Sequence, residues 1–349
     1  METRILTITG TRRNGLSEAA RILQNGGLVA FPTETVYGLG AVCTDDDAMR
    51  RVFAVKGRPG DNPLILHIWR VEQLLELAAE ICPKAFRLIE AFWPGPLTII
   101  FPKQPTVSAV ATAGLDTVAV RMPSHPVTRE LLRLTDIPVA APSANLSGKP
   151  SPTKGSHVVD DLAGKIEMII DAGPCNAGIE STVLTLAAEH PLILRPGSVT
   201  REMLQAVLNE TVEVSNPAVP SERPQAPGMK YRHYAPQAPA FLVEGIDNRK
   251  VVAHINQLLA AAKGEKPGLR PVVLGTTENL KDYNTEFVLD LGSRHDPAMV
   301  AARIYDLLRF CDQLAADIIY IEGISAQGVG LAVANRLYKA AGGNVIRVS

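Results

Sequence analysis

The chain has 349 residues, of which 46% are hydrophobic and 20% charged, and its formal net charge is −1. This length and composition suit about two domains with sizeable cores in an ordinary globular protein. The near-neutral balance excludes a global basic field for nucleic acid or membrane, so any anion site has to be local.

The opening Met-Glu-Thr-Arg-Ile-Leu carries no apolar signal-peptide region, and no apolar run is long enough to span a bilayer. Helices are predicted over 16–26, 46–55, 71–80, 83–92, 126–134 and 200–208. Between them LVAFP, PLILHI, LTIIF, TVAVRM, IPVAAP, IEMIID and STVLTL read as strands. Several follow one another with no room for a helix, so antiparallel pairs are expected in a mixed, twisted sheet.

In LVAFPTETVYGLG (28–40) an apolar strand runs into Thr33, Glu34, Thr35 and Tyr37, then Gly38 and Gly40. Polar residues at a strand end, followed by glycines, suit a pocket rim. A turn with Thr35 capping a helix explains them as well. Asp45-Asp46-Asp47 reads as a helix N-terminus rather than a metal site.

In KGRPGDNPLILHI (56–68), Lys56 and Arg58 flank Gly57. In an extended segment they share one face, where polyphosphate is a natural partner. A solvated basic loop fits the segment equally when it is read alone. His67, on an apolar strand, reads by itself as a satisfied core residue. Arg121 ends VAVRMP, where it needs a carboxylate from the protein or a ligand.

PVAAPSANLSGKPSPT (138–153) carries Ser143, Asn145, Ser147 and Ser151 on a Pro/Gly loop, suited to phosphate or ribose oxygens. Ser181 and Thr182 precede a strand in GIESTVL, and Arg195 ends the apolar run of LILRPG. If the sheet gathers these strand ends, they form one crevice of the kind in which open α/β sheets bind ligands.

Residues 216–239 hold six prolines and no apolar periodicity, and so read as an extended interdomain linker. Its centre, Gly-Met-Lys-Tyr-Arg-His-Tyr, has the side chains to touch a ligand or to pack on a surface. Beyond it, apolar runs at 241–243, 272–274, 287–291 and 318–321 alternate with helical patterns near 249–263, 297–315 and 329–341. Such alternation predicts a parallel sheet flanked by helices.

The P-loop, G-x-S-x-G and H-E-x-x-H motifs are absent. Gly328-Val-Gly330 lacks the third glycine of a dinucleotide fingerprint, since Val333 fills that place, and reads as turn chemistry. The cysteines at 43, 82, 175 and 311 form neither a C-x-x-C nor a zinc pattern, and are expected as reduced thiols in the cytoplasm.

Taken in order, PTETVYGLG, KGRPGDNPLILHI, WPGPLTIIF, VAVRMPSHP, PSANLSGKPSPT, GIESTV and ILRPG resemble the YrdC-type domain of threonylcarbamoyl-AMP synthases. The linker PGMKYRHYAP and a smaller α/β domain resemble the long form of that family, so the resemblance covers nearly the whole chain. It implies an α/β fold in three parts. A YrdC-like catalytic domain (1–212) has a twisted mixed sheet and a concave cationic pocket. A Pro-rich linker or lid (213–239) and a Rossmann-like parallel-sheet domain (240–349) follow.

The implied activity is that of a nucleotidyltransferase. L-threonine, bicarbonate and ATP, with Mg2+, give threonylcarbamoyl-AMP and pyrophosphate for threonylcarbamoyladenosine modification of ANN-reading tRNAs. By the same resemblance Lys56, Arg58, Ser143 and Asn145 form the catalytic K-x-R and S-x-N signature. Thr35, His67, Arg121, Ala141 and Ser181 hold L-threonine. Arg58, Asn62, Thr117, Ser143, Ser151, Arg195 and either Tyr231 or Tyr234 hold ATP. No protein side chain is expected to ligate metal. A monomer is expected, with the product passed to a tRNA threonylcarbamoyl transferase.

Two rivals remain at this point. One is a non-catalytic RNA-binding module using the same cationic surface, against which stands the lack of a dense Lys/Arg tract with interleaved aromatics. The other is a carbamoyl-transfer enzyme of another pathway, which would carry acylphosphatase-like and zinc-finger regions that this chain lacks.

Overall fold

The computed structural model describes residues 1–10, 14–215, 234–265 and 268–349. The chain divides into two compact units, one of Met1–Ser147 with Ser151–Tyr231, the other of Gly148–Pro150 with Arg232–Ser349.

The strands of the first unit are β1 (Arg4–Thr7), β2 (Val29–Phe31), β3 (Gly38–Val42), β4 (Ile65–His67), β5 (Leu97–Pro102), β6 (Thr117–Arg121), β7 (Val139–Ala140), β8 (Met168–Asp171), β9 (Thr182–Thr185), β10 (Leu192–Arg195) and β11 (Glu213–Val214). They form one sheet in the order β1-β8-β2-β3-β7-β4-β6-β5-β9-β10-β11. It is mixed, as expected: β4 and β6 run parallel, whereas β2–β3, β5–β6 and β9–β10 are antiparallel. Glu213 and Val214, assigned to the linker from sequence, form an edge strand parallel to β10. The rest of that linker, residues 216–233, lies outside the described residues and includes Tyr231.

The helices of this unit are α1 (Leu16–Gln24), α2 (Asp46–Lys56), α3 (Leu74–Leu77), α4 (Pro83–Phe92), α5 (Ala109–Thr112), α6 (Pro126–Thr135), α7 (Gly155–Leu162) and α8 (Arg201–Leu208). Local chemistry explains several boundaries. Asp45 caps α2 by accepting from the Ala48 amide at 2.9 Å, as the Asp run led us to expect. Proline opens α4 and α6, where its missing N–H costs nothing. The helix expected over 71–80 breaks into a 3-10 turn, Val71–Gln73, and α3. It stops because Ala78 turns extended and bridges to Lys103.

The two faces of this sheet are used differently. On one, Leu66, Leu97, Ile99, Phe101, Val118 and Val120 join the main core with residues of α2, α4 and α8. On the other, Val29, Phe31, Val42 and Val139 pack with residues of α1 and α6. Further along that second face, Ile65, Ala119, Ile100 and Val183 form a small separate apolar patch.

The second unit has β12 (Ala240–Gly245), β13 (Pro271–Thr276), β14 (Val288–Gly292), β15 (Ile318–Glu322) and β16 (Val345–Val348) in the order β14-β13-β15-β12-β16, all parallel. Its helices are α9 (Asn248–Glu265), α10 (Pro297–Gln313) and α11 (Val329–Ala340). Gly328 and Gly330 do carry β15 into α11. A Cβ at Gly330 would meet the Ser325 carbonyl at 2.0 Å, so packing of the turn accounts for that glycine. Among the described residues no helix is long and apolar enough to cross a membrane.

Candidate active site

Strand register builds the centre of the site. His67 on β4 is the direct partner of Arg121 on β6, which in turn opposes Thr98 on β5. In-register neighbours project to one face of a sheet. The three side chains therefore form a polar row beside the Ile65, Ala119, Ile100 and Val183 patch, which becomes the floor. Thr117, four residues before Arg121 on β6, shares that face. Four strand residues span about 13 Å, so the site has two ends along one strand pair.

At the first end Arg121 is 4% exposed and nearly surrounded. Its Nε donates to the Gly95 carbonyl at 3.2 Å, and Nη1 donates to Thr35 Oγ1 at 3.0 Å. Nη2 lies 2.6 Å from Glu34 Oε1 as an ion pair. Thr35 Oγ1 and Thr33 Oγ1 lie 2.8 Å apart, and Thr33 donates to the Val36 carbonyl at 2.6 Å. The Thr35 hydroxyl proton therefore goes to Thr33. Thr35 sits in the turn between β2 and β3, and no helix follows for it to cap.

Burial raises the Glu34 carboxyl pKa, but the Arg121 charge and the hydrogen bonds it receives outweigh that and hold it below the usual carboxylate range. Burial and the same Arg121 charge push His67 down to about 3, so its ring is neutral at ordinary pH. The ring packs edge-on to Phe31, with centroids 6.4 Å apart. Burial pushes the Cys175 thiol up to about 12, which keeps it protonated.

Ser181 closes this end. Its Oγ is 2.8 Å from Thr98 Oγ1 and accepts from Arg195 Nη2 at 3.1 Å, while Arg195 Nε donates to the Ser181 carbonyl. Ser151 donates to buried Glu180 at 2.6 Å. Ala141 lies in the middle, its amide bonded to the Ile65 carbonyl, and Ser143 bridges to Gly38. At the second end, near Thr117, Arg58 Nη2 donates to the carbonyls of Asn62 at 3.2 Å and Pro63 at 3.1 Å.

Several expectations need correction. Lys56 and Arg58 do not share a face of an extended loop. Lys56 is the last residue of α2, and Gly57 turns the chain through a left-handed φ of 60°. Lys56 is 3% exposed, and its ammonium donates to the carbonyls of Ser143 and Asn145. It therefore ties down the S-x-N loop, whose Ser143 and Asn145 side chains bond each other at 2.5 Å.

Gly40 is needed for packing, since a Cβ there would come within 2.6 Å of the Phe31 ring and 2.8 Å of Val139. The site is also not a crevice at one carboxyl edge, because a mixed sheet has no common carboxyl edge. Tyr234 is 5% exposed, with its ring 5.0 Å from Tyr305 and under the Arg336 guanidinium in the second unit. Thr98 and Glu180 received no role from sequence; Thr98 was visible only as the one polar residue in LTIIF.

Comparison with known proteins fits this arrangement. Residues 21–197 match the Sua5/YciO/YrdC family described as "Telomere recombination", and residues 199–342 match the family described as "Threonylcarbamoyl-AMP synthase, C-terminal domain". The threonylcarbamoyl-AMP synthase of Bacillus subtilis is 47% identical over 333 residues, covering 95% of this chain and 94% of that protein. The threonylcarbamoyl-AMP synthase of Pyrococcus abyssi is also 47% identical, with 95% of each chain covered. The crystal structure of P. abyssi Sua5 complexed with L-threonine superposes with a TM-score of 0.93 at 45% identity, covering 99% of this chain and 100% of that one.

Proposed function

The chain belongs to the Sua5/YrdC family in its two-domain form, and on that premise we propose that it is an enzyme making L-threonylcarbamoyladenylate. The observation that carries this reading is the in-register row His67–Arg121–Thr98, with Thr117 about 13 Å away along the same face. That spacing suits an amino acid at one end and a nucleotide extended towards the other.

In this reading Thr35, His67, Arg121, Ala141 and Ser181 surround L-threonine. Arg58, Asn62, Thr117, Ser143, Ser151 and Arg195 surround ATP. The threonine amine, once neutral, attacks bicarbonate to give a carbamate with loss of water, and a carbamate oxygen attacks the α-phosphorus as pyrophosphate leaves. The reaction class is nucleotidyl transfer. Arg195, bonded to both the carbonyl and hydroxyl of Ser181, stands between the two groups of residues and supports charge on the phosphoryl oxygens. Neutral His67 accommodates the amine without adding a competing charge.

Among the described residues no cluster of three acidic, histidine or cysteine side chains could hold a metal. In this reading a hard cation arrives with ATP and is held chiefly by the substrate phosphates rather than by protein side chains. Bound Mg2+ would supply charge neutralisation for the phosphates.

The cations that an RNA-docking surface would need are buried, with Lys56, Arg121 and Arg195 at 3, 4 and 5% exposure, which favours small substrates. Transfer of the product to a tRNA-modifying enzyme and a cytoplasmic setting belong to the same proposal, the latter supported by four free cysteines. The test is pyrophosphate release from ATP. It should require L-threonine and bicarbonate together; release with either omitted would overturn the assignment.

A further inference from the structure

Glu34 has no role in the reading above, yet it stands at the charged centre of the amino-acid end. Its Oε1 pairs with Arg121 Nη2 at 2.6 Å, and its Oε2 accepts from the Ser124 amide at 3.1 Å. Glu34 Oε1 and Arg121 Nη2 are both buried, and among the described residues neither has a hydrogen-bond partner beyond this contact. A buried charge pair with no further partner on these atoms leaves capacity for a ligand of both charges.

A carboxylate has about four acceptor sites. The Ser124 amide, Glu34's own amide and Arg121 account for three. Of the pair, Glu34 is the more open, with 14% of its side chain exposed against 4% for Arg121. The adjoining titratable groups, His67 and Cys175, are both neutral at ordinary pH. The local charge therefore sums to zero. A simple anion entering here would gain from Arg121 and lose to Glu34, whereas a zwitterion gains from both.

We propose that Glu34 is a specificity-determining residue that receives the α-ammonium of the amino-acid substrate while Arg121 receives its carboxylate. The pocket thereby selects an α-amino acid over the same acid lacking its amine. The inference rests on the proposed function and adds the chemical basis of substrate choice. It also implies that the substrate docks as a zwitterion.

The experiment is calorimetric binding of L-threonine and of 3-hydroxybutyrate, which keeps the carboxylate and hydroxyl but lacks the amine. Both are measured on the full chain and on Glu34→Gln, with ATP binding as a check on folding. A charged hydrogen bond is worth about 1.5–3 kcal/mol, so the unsubstituted protein should prefer L-threonine by at least about tenfold. Glu34→Gln should lose most of that preference while ATP affinity is unchanged.

Equal loss of both ligands in the variant would mean that Glu34 only props Arg121, and would overturn the proposal. The comparison on the unsubstituted protein needs no variant, and equal affinity for the two ligands there would also overturn it. No binding of L-threonine at all would instead sink the enzyme assignment itself.

Discussion

Replacing Lys56 separates a loop-holding role from a direct catalytic one. Lys56→Met keeps the length and most of the volume of the side chain but removes the ammonium. In the folded protein that ammonium serves the carbonyls of Ser143 and Asn145 in a site 3% exposed. Leaving a buried acceptor unmet costs about 1–3 kcal/mol, so two of them cost roughly 2–6 kcal/mol. Lys56 also ends α2, where a cation interacts favourably with the helix dipole and contributes about another 0.3–1 kcal/mol.

Taking about 3 kcal/mol as a working figure, and about 2–4 °C per kcal/mol for a unit of this size, the melting transition should fall by roughly 6–12 °C. Differential scanning calorimetry with ATP binding and pyrophosphate release on the same samples checks this. Stability and ATP affinity should drop together, because the loop presenting Ser143 is released. An unchanged Tm with turnover abolished would refute the reasoning and return Lys56 to direct contact with substrate.

Two further outcomes follow from the same geometry. Gly40→Ala should lower Tm by several degrees, because forcing a methyl group against Phe31 and Val139 costs about 1–3 kcal/mol. Unchanged stability would mean that the glycine serves something other than packing. His67, held near 3 by burial and Arg121, remains neutral when folded but takes up a proton near 6.5 when unfolded. The unfolded state thus binds more protons between about 6.5 and 3, and stability falls as pH falls through that window. Glu34, with its folded pKa below the usual 4.5, loses its stabilising charge only at lower pH. His67→Gln should therefore show a smaller drop in Tm between about pH 7 and about pH 5 than the unsubstituted protein. An equal drop would refute the assignment of a buried neutral ring.

Much of the fold was legible in the residues because the signals are local. The apolar spacing of 83–92 and 126–134, each opened by proline, marks α4 and α6. Asp45 announces α2. The alternation after residue 240 predicts the parallel sheet of the second unit. Weak or short signals were missed. The strands β1 and β16 and the helix α7 carry no reading from sequence, and Gly38 and Gly40, expected at a pocket rim, belong to the strand Gly38–Val42.

The sequence by itself therefore determined the family, the element types and the set of polar residues that travel with the strands. It did not determine how those residues meet. His67 faces Arg121 only because β4 and β6 pair in parallel at one register, and a slip of one residue would send either side chain to the opposite face. Glu34 meets Arg121 across 87 positions of chain, and Lys56 reaches the 143–145 loop from a helix end that read as extended loop. Such contacts depend on non-local pairing, which local patterns do not encode. That is why two cations placed on one face of an extended segment sit differently in the folded protein, Lys56 at a helix end holding the 143–145 loop and half-buried Arg58 donating to the carbonyls of Asn62 and Pro63.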